Sequence, residues 1–146
     1  MKISARKSKG SQYELSVRDS LAQKYPDVLL TKQEGFVAQH DIIIHSAKIV
    51  VECKRHKGFS WNELVKYYRK LQSRCPETYT PFIIFQSNHQ PCLVYTEYVY
   101  EGDNLGMVSR FEDYFGVPFI KHKGKKKDIA ARSLEALKEG KFEKLA

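Results

Sequence analysis

The chain has 146 residues, of which 42% are hydrophobic and 29% are charged. This composition is typical of a globular domain with a real core and argues against a disordered or membrane-inserted chain. Because 25 Lys and Arg residues outnumber 17 Asp and Glu residues, the net charge is +8. A polyanionic partner is therefore expected, nucleic acid before an acidic membrane surface.

The basic N-terminus is not followed by an apolar segment, and no apolar run is long enough to cross a bilayer. The sequence therefore predicts an intracellular protein without a membrane role, in a host cytoplasm if the source is viral. Cys53, Cys75 and Cys92 form no Cys-x-x-Cys pair. They predict reduced thiols and not a disulfide framework.

The first predicted helix covers about residues 12–25. Its apolar residues recur at intervals of four, as on one helix face: Tyr13, Val17, Leu21 and Tyr25. Ser11 and Glu14 have the spacing of a capping box, which would leave the basic residues 1–10 as an arm ahead of the helix. Pro26 is expected to end the helix, and one short strand and a loop should follow.

Two apolar segments, residues 41–45 and 48–54, are predicted to pair as a hairpin through a tight turn. Symmetric pairing about this turn sets Asp41 directly opposite Glu52, with β-carbons about 5 Å apart. Lys54 should project from the same face as Glu52. The other face is expected to be core: Ile42, Ile44, Ile49, Val51 and Cys53.

The charged face of this hairpin predicts a metal site. Two carboxylates at such a distance repel each other, and their burial is costly unless a cation lies between them. Oxygen ligands alone favour a hard ion such as Mg²⁺ or Mn²⁺. In a chain of charge +8 this arrangement indicates phosphodiester hydrolysis, with Lys54 acting on the nucleophile or on the phosphate.

The second predicted helix lies within residues 59–75. Ser60 and Glu63 form a capping box, and Phe59 and Leu64 form a hydrophobic staple. One face carries an apolar stripe, whose aromatic members are expected to pack in the core: Trp61, Leu64, Val65, Tyr68 and Leu71.

The rest of the chain shows two strands, at residues 81–85 and 92–100, joined by a segment rich in turn formers. A short helix is predicted at 109–116 and a C-terminal helix at 128–142. The basic run 121–127 separates these two helices and reads either as a solvated loop or as a contact to phosphates.

This order of elements predicts an α/β fold with a central mixed β-sheet flanked by helices. There is no internal repeat and no linker long enough to divide the chain. We therefore expect a single domain over residues 1–146, with a basic N-terminal arm (1–10) and a basic loop plus C-terminal helix (121–146).

Two motifs resemble a known family. Asp41, followed after ten residues by the Glu-Cys-Lys of residues 52–54, resembles the PD-(D/E)xK nuclease signature, although His40 stands in the proline position. The segment Lys-Gly-Ser-Gln-Tyr-Glu, residues 9–14, is similar to the helix that carries a Glu in archaeal-type Holliday junction resolvases. The resemblance extends over roughly residues 9–87 and implies a restriction-endonuclease-like core.

The resemblance also implies the site. Glu14, Asp41 and Glu52 would bind Mg²⁺, for which Mn²⁺ can substitute, and Lys54 would complete the catalytic set. The capping box remains an alternative account of Glu14. A second Glu-x-Lys tripeptide, at residues 139–141, has no Asp-bearing strand before it, so the context and not the tripeptide carries the signal.

The predicted activity is metal-dependent, structure-selective DNA cleavage, most simply by a homodimer that resolves four-way junctions with paired, symmetric cuts. A restriction- or repair-type endonuclease on duplex or damaged DNA is the alternative, followed by a non-catalytic basic DNA-binding protein. DNA phosphates are expected to contact eight basic residues: Lys7, Lys9, Arg55, Lys57, Lys123, Lys125, Lys126 and Lys127.

Overall fold

The computed structural model describes residues 2–31 and 40–121, with side chains from residue 12 onward. The predicted C-terminal helix lies outside the described residues, as do the four lysines predicted to bind DNA between residues 123 and 127.

The described chain folds into an α/β structure around one mixed sheet. Its helices are α1 (Lys2–Ala22), α2 (Trp61–Arg74) and α3 (Phe111–Phe115). Its strands are β1 (Leu29–Leu30), β2 (Ile42–Ile44), β3 (Ile49–Arg55), β4 (Thr80–Gln86), β5 (Leu93–Tyr100) and β6 (Asp103–Arg110). The six strands lie in the order of the chain, and the predicted mixed sheet flanked by helices is confirmed.

Only one pair of neighbouring strands within the described sheet is parallel. β3 and β4 run in the same direction, whereas the other four pairs are antiparallel. A parallel pair needs a crossover, and α2 supplies it between β3 and β4. This crossover lays α2 across the face of the sheet that carries the candidate site.

Helix α1 differs from its prediction at both ends, because it covers Lys2–Ala22 whereas about residues 12–25 were predicted. It is continuous from Lys2, so Ser11 lies inside the helix, and the predicted capping box is wrong. Residues ahead of Ser11 are mostly good helix formers, and nothing there stops the helix. Ser16 and Ser20 donate their hydroxyls to carbonyls four residues earlier, which satisfies serines in a helix interior.

Both faces of the sheet bury apolar residues. On one face, α1 and α3 cover the predicted core residues Ile42, Ile44, Ile49, Val51 and Cys53. On the other face, α2 covers Ile43 and Val50. This second face was predicted to be charged. It is part of the core near the hairpin turn, and its charged residues lie at the opposite end of the hairpin.

Helix α2 begins as predicted. The Ser60 hydroxyl accepts a hydrogen bond from the Glu63 amide at 3.2 Å and donates to the Glu63 carboxylate at 3.1 Å. Leu64, Tyr68 and Leu71 are buried. The prediction for Trp61 is wrong, because its side chain is 52% exposed and packs edge-on against Tyr95.

Strand β6 was not predicted from the sequence. It pairs with β5 through a two-residue turn, in which both Glu101 and Gly102 have positive φ, at 52° and 85°. The preferred residues at the first of these positions are Asn, Asp and Gly, so a Glu there conceals the turn. Gly106 in β6 allows a close approach, because a β-carbon there would lie 2.6 Å from the Tyr95 hydroxyl oxygen.

Residues 2–31 and 40–121 contain no helix that is both long and apolar enough to cross a membrane. All three cysteines are free thiols, as predicted.

Candidate active site

The β2–β3 register places Asp41 beside Glu52. Ile42 pairs with Val51, and Ile44 pairs with Ile49, which is the symmetric pairing that the sequence predicted. Asp41 directly precedes β2, and its amide donates to the Val51 carbonyl at 3.0 Å. Two further contacts hold it: the Thr31 amide donates to its carbonyl, and the Cys53 amide donates to its Oδ2 at 2.8 Å. The Asp41 carboxylate is thus fixed at the end of the hairpin.

Lys54 lies between a carboxylate and an aromatic ring. Its Nζ is 3.7 Å from the Glu52 Oε1 and 4.7 Å from the centre of the Tyr67 ring on α2. About a quarter of each side chain, Glu52 and Lys54, is exposed. Strand β3 therefore presents its acid and its base together, and α2 limits where the ammonium can point.

The two carboxyl groups are electrostatically strained. The pKa of Asp41 is raised from its ordinary value of 3.8 to about 7, chiefly by burial and then by the negative charge of Glu52. The hydrogen bond from the Cys53 amide acts in the opposite direction, because it lowers this pKa. Burial also raises the pKa of Glu52, while Lys54 lowers it. Such a pair either retains a proton or requires a nearby cation.

Glu14 acts on this pair from α1. Its negative charge helps to raise the pKa values of Asp41, Glu52 and Cys53. Since the continuous α1 excludes the capping role with Ser11, this electrostatic effect is the observation that connects Glu14 with the site. No group of three or more His, Cys, Asp or Glu side chains that could hold a metal ion occurs among the described residues. A role of Glu14 as a third ligand stays a prediction.

A cavity of about 270 Å³ opens beside Glu52 and Lys54. Helix α2 supplies its other walls, which are mostly basic: Lys66, Tyr67, Lys70, Leu71 and Arg74. None of these residues was predicted from the sequence to line a site. The available signal was the interval of four between Lys66, Lys70 and Arg74, which places them along one face of a helix.

The residues that were predicted to bind DNA differ in their surroundings. The Arg55 guanidinium donates to the Ser87 carbonyl and to the Asn88 side chain, both at 3.0 Å, and so ties the end of β3 to the segment after β4. Lys57 is exposed before α2. Lys7 and Lys9 belong to helix α1.

The raised pKa of Asp41 predicts how stability depends on pH. Between about pH 4 and pH 7 the folded state keeps a proton that the unfolded state has lost, so stability should fall as pH rises through the folded pKa. Asp41→Asn removes this dependence and should stabilise the metal-free protein at about pH 8 by on the order of 1–3 kcal/mol.

Urea unfolding of both proteins in chelator, from about pH 4 to pH 8, measures this difference. The gain of Asp41→Asn should shrink toward zero near pH 4, where the wild-type carboxyl is protonated in both states. A gain that does not change with pH would contradict a titrating Asp41.

No protein-family model matches the chain, and no curated protein matches it. Among solved structures, it is similar to Archaeoglobus fulgidus Hjc, a Holliday junction resolvase from an archaeal hyperthermophile, at 14% identity and a TM-score of 0.39. The match covers 76% of this chain and 98% of that one. A similarity at this level assigns neither an activity nor a residue role.

Proposed function

We propose that the protein is a metal-dependent DNA endonuclease of the PD-(D/E)xK type that cuts four-way junctions. The observation that carries this proposal is the convergence of Asp41, Glu52 and Lys54 at one end of the β2–β3 hairpin. Metal-dependent phosphodiester hydrolysis requires acidic ligands for a cation and a fixed positive charge near the phosphate, and this site contains residues suited to both roles.

The donor set fits a hard divalent cation. Asp41 and Glu52 are carboxylates whose pKa values are raised because they are buried, and a cation between them would relieve that cost. Mg²⁺ or Mn²⁺ would be held by these two residues, and we assign Glu14 to the same ion because its charge acts on both. When bound, the ion supplies a Lewis acid that lowers the pKa of water and neutralises phosphate charge.

Lys54 supplies the protein's own positive charge. Glu52 and the Tyr67 ring restrict the position of its ammonium before any substrate arrives. A preorganised cation stabilises the negative charge that develops on the phosphate without the cost of reorientation during the reaction. The ammonium also repels a metal ion, so we assign it to the phosphate or to the attacking water.

The preference for junctions rests on charge and symmetry. A chain of charge +8 favours a polyanion, and a four-way junction is nearly two-fold symmetric. Two cuts related by that symmetry require two active sites, so we propose a homodimer that cleaves both strands before it releases the DNA. A restriction- or repair-type nuclease on duplex DNA is the alternative that the same site allows.

Cleavage of a synthetic four-way junction, beside a linear duplex with the same arm sequences, tests the proposal. With Mg²⁺ we expect the junction to be cut at least about tenfold faster than the duplex, and chelator to stop both reactions. Equal rates on both substrates would favour the restriction- or repair-type alternative. Tight binding without any cleavage would contradict a nuclease and favour a DNA-binding protein.

A further inference from the structure

One face of α2 carries three cations along the wall of the cavity. Lys66, Lys70 and Arg74 are spaced by four residues, so with a rise of 1.5 Å per residue they extend over about 12 Å of the helix. The same cavity is lined by Glu52 and Lys54. The row of cations therefore lines the same cavity as two residues of the candidate active site.

The three cations are not neutralised by ion pairs within the described structure. Among residues 2–31 and 40–121, no carboxylate forms an ion pair with Lys66, Lys70 or Arg74. Arg69 of the same helix provides the contrast, because it forms a 2.7 Å ion pair with Glu97, whose side chain is only 6% exposed. Arg69 is committed to the fold, whereas the three cavity cations are available to a ligand.

Arg74 also connects the row to the acids. Its positive charge lowers the pKa of Glu52, opposing the effect of burial. Tyr67, next to Lys66 in the chain, places its ring against the Lys54 ammonium at the same wall. The cavity thus joins the residues proposed for the chemistry to a set of cations that form no ion pair among the described residues.

From this geometry we infer that Lys66, Lys70 and Arg74 form a phosphate-binding track for the DNA strand that is being cut. The inference rests on the proposed nuclease function and adds to it the surface that positions the substrate. A row of about 12 Å is long enough to neutralise more than one phosphate, since each strand carries one charge per about 3.4 Å of duplex axis. A single free phosphate would leave most of the row unpaired, so the backbone of a strand is the occupant that fits.

Salt dependence of binding tests the track without requiring cleavage. The probe is a fluorescent four-way junction in chelator, and the measurement is anisotropy across a series of salt concentrations. Lys70→Gln should reduce the slope of log affinity against log salt by about 0.9 and weaken binding roughly eightfold at about 0.1 M salt. The triple variant Lys66→Gln, Lys70→Gln, Arg74→Gln should reduce the slope by about 2.7.

Lys48→Asn is the matched control. Lys48 is exposed in the turn between β2 and β3, four residues from Glu52 along the strand and therefore about 13 Å away. Its φ of 54° is a conformation that Asn tolerates, so the variant removes one charge without backbone strain. Its slope should match that of the wild type.

Three results would overturn the track. These are an unchanged slope in the triple variant, an equal effect of Lys48→Asn, and displacement of the junction by inorganic phosphate beyond the effect of ionic strength. The proposed function fails differently. If the variants show the predicted slope changes but the wild-type protein leaves the junction uncut in Mg²⁺, the nuclease is overturned and the row is a phosphate-binding track for DNA that is bound but not cut.

Discussion

Asp41→Asn is expected to reduce DNA cleavage by about a thousandfold or more while junction binding stays level or tightens. The substitution keeps the size of the side chain, and the amide oxygen of Asn can still accept the hydrogen bond that the Cys53 amide donates to Asp41. What is lost is the negative charge that would hold the cation. Repulsion of the DNA phosphates falls at the same time, which is why binding should not weaken.

The measurement is single-turnover cleavage of the junction with saturating enzyme, beside binding in chelator. Glu52→Gln should behave in the same way, because it removes the second carboxylate of the pair. Glu139→Gln is the matched control, since it changes the Glu of the second Glu-x-Lys tripeptide and should leave the rate unchanged. Normal cleavage by Asp41→Asn would mean that the two acids are ordinary charges at strand ends.

Lys54→Ala is expected to slow cleavage by about a hundredfold to a thousandfold with little effect on the metal. The ammonium acts on the phosphate or the water in the proposed mechanism and is not a ligand. The stabilisation that Mg²⁺ gives to the folded protein should therefore be retained in this variant, whereas Asp41→Asn should lose it.

Two readouts separate these roles. Single-turnover rates report the chemistry, and the shift of melting temperature with Mg²⁺ reports metal binding. Lys48→Asn again serves as the control for the loss of one positive charge. If Lys54→Ala abolishes the Mg²⁺ shift and the rate together, Lys54 supports the geometry of the acidic pair instead of acting on the substrate.

The register of β2 and β3, which brings the charges of Asp41 and Glu52 close to each other, was predictable because all its determinants are local. Asp41 and Lys54 are only 13 positions apart in the chain, and side chains alternate between the two faces of a strand. The turn between β2 and β3, which is closed by a hydrogen bond from the Lys48 amide to the His45 carbonyl, fixes this register. The start of α2 was predictable for the same reason, because Ser60 and Glu63 satisfy each other within one turn.

Other features depend on contacts between distant segments. The start of α1 was misread because Ser11 can cap a helix or lie inside one, and only the folded chain selects between these options. Strand β6 was missed because its pattern is weak. Most of its residues are exposed, and the strand forms because it pairs with β5. Gly106 also lies close to the Trp61 ring, which comes from a distant part of the chain.

The sequence by itself determined the acids, the base and their common face, since strand geometry converts spacing into position over short distances. Tertiary structure alone decided what surrounds them. The α2 crossover sets Tyr67 against Lys54 and brings Lys66, Lys70 and Arg74 to the same cavity. Burial by the packed elements also raises the pKa of Asp41 to about 7. Spacing alone shows neither effect, because both arise where helices pack against the sheet and exclude water.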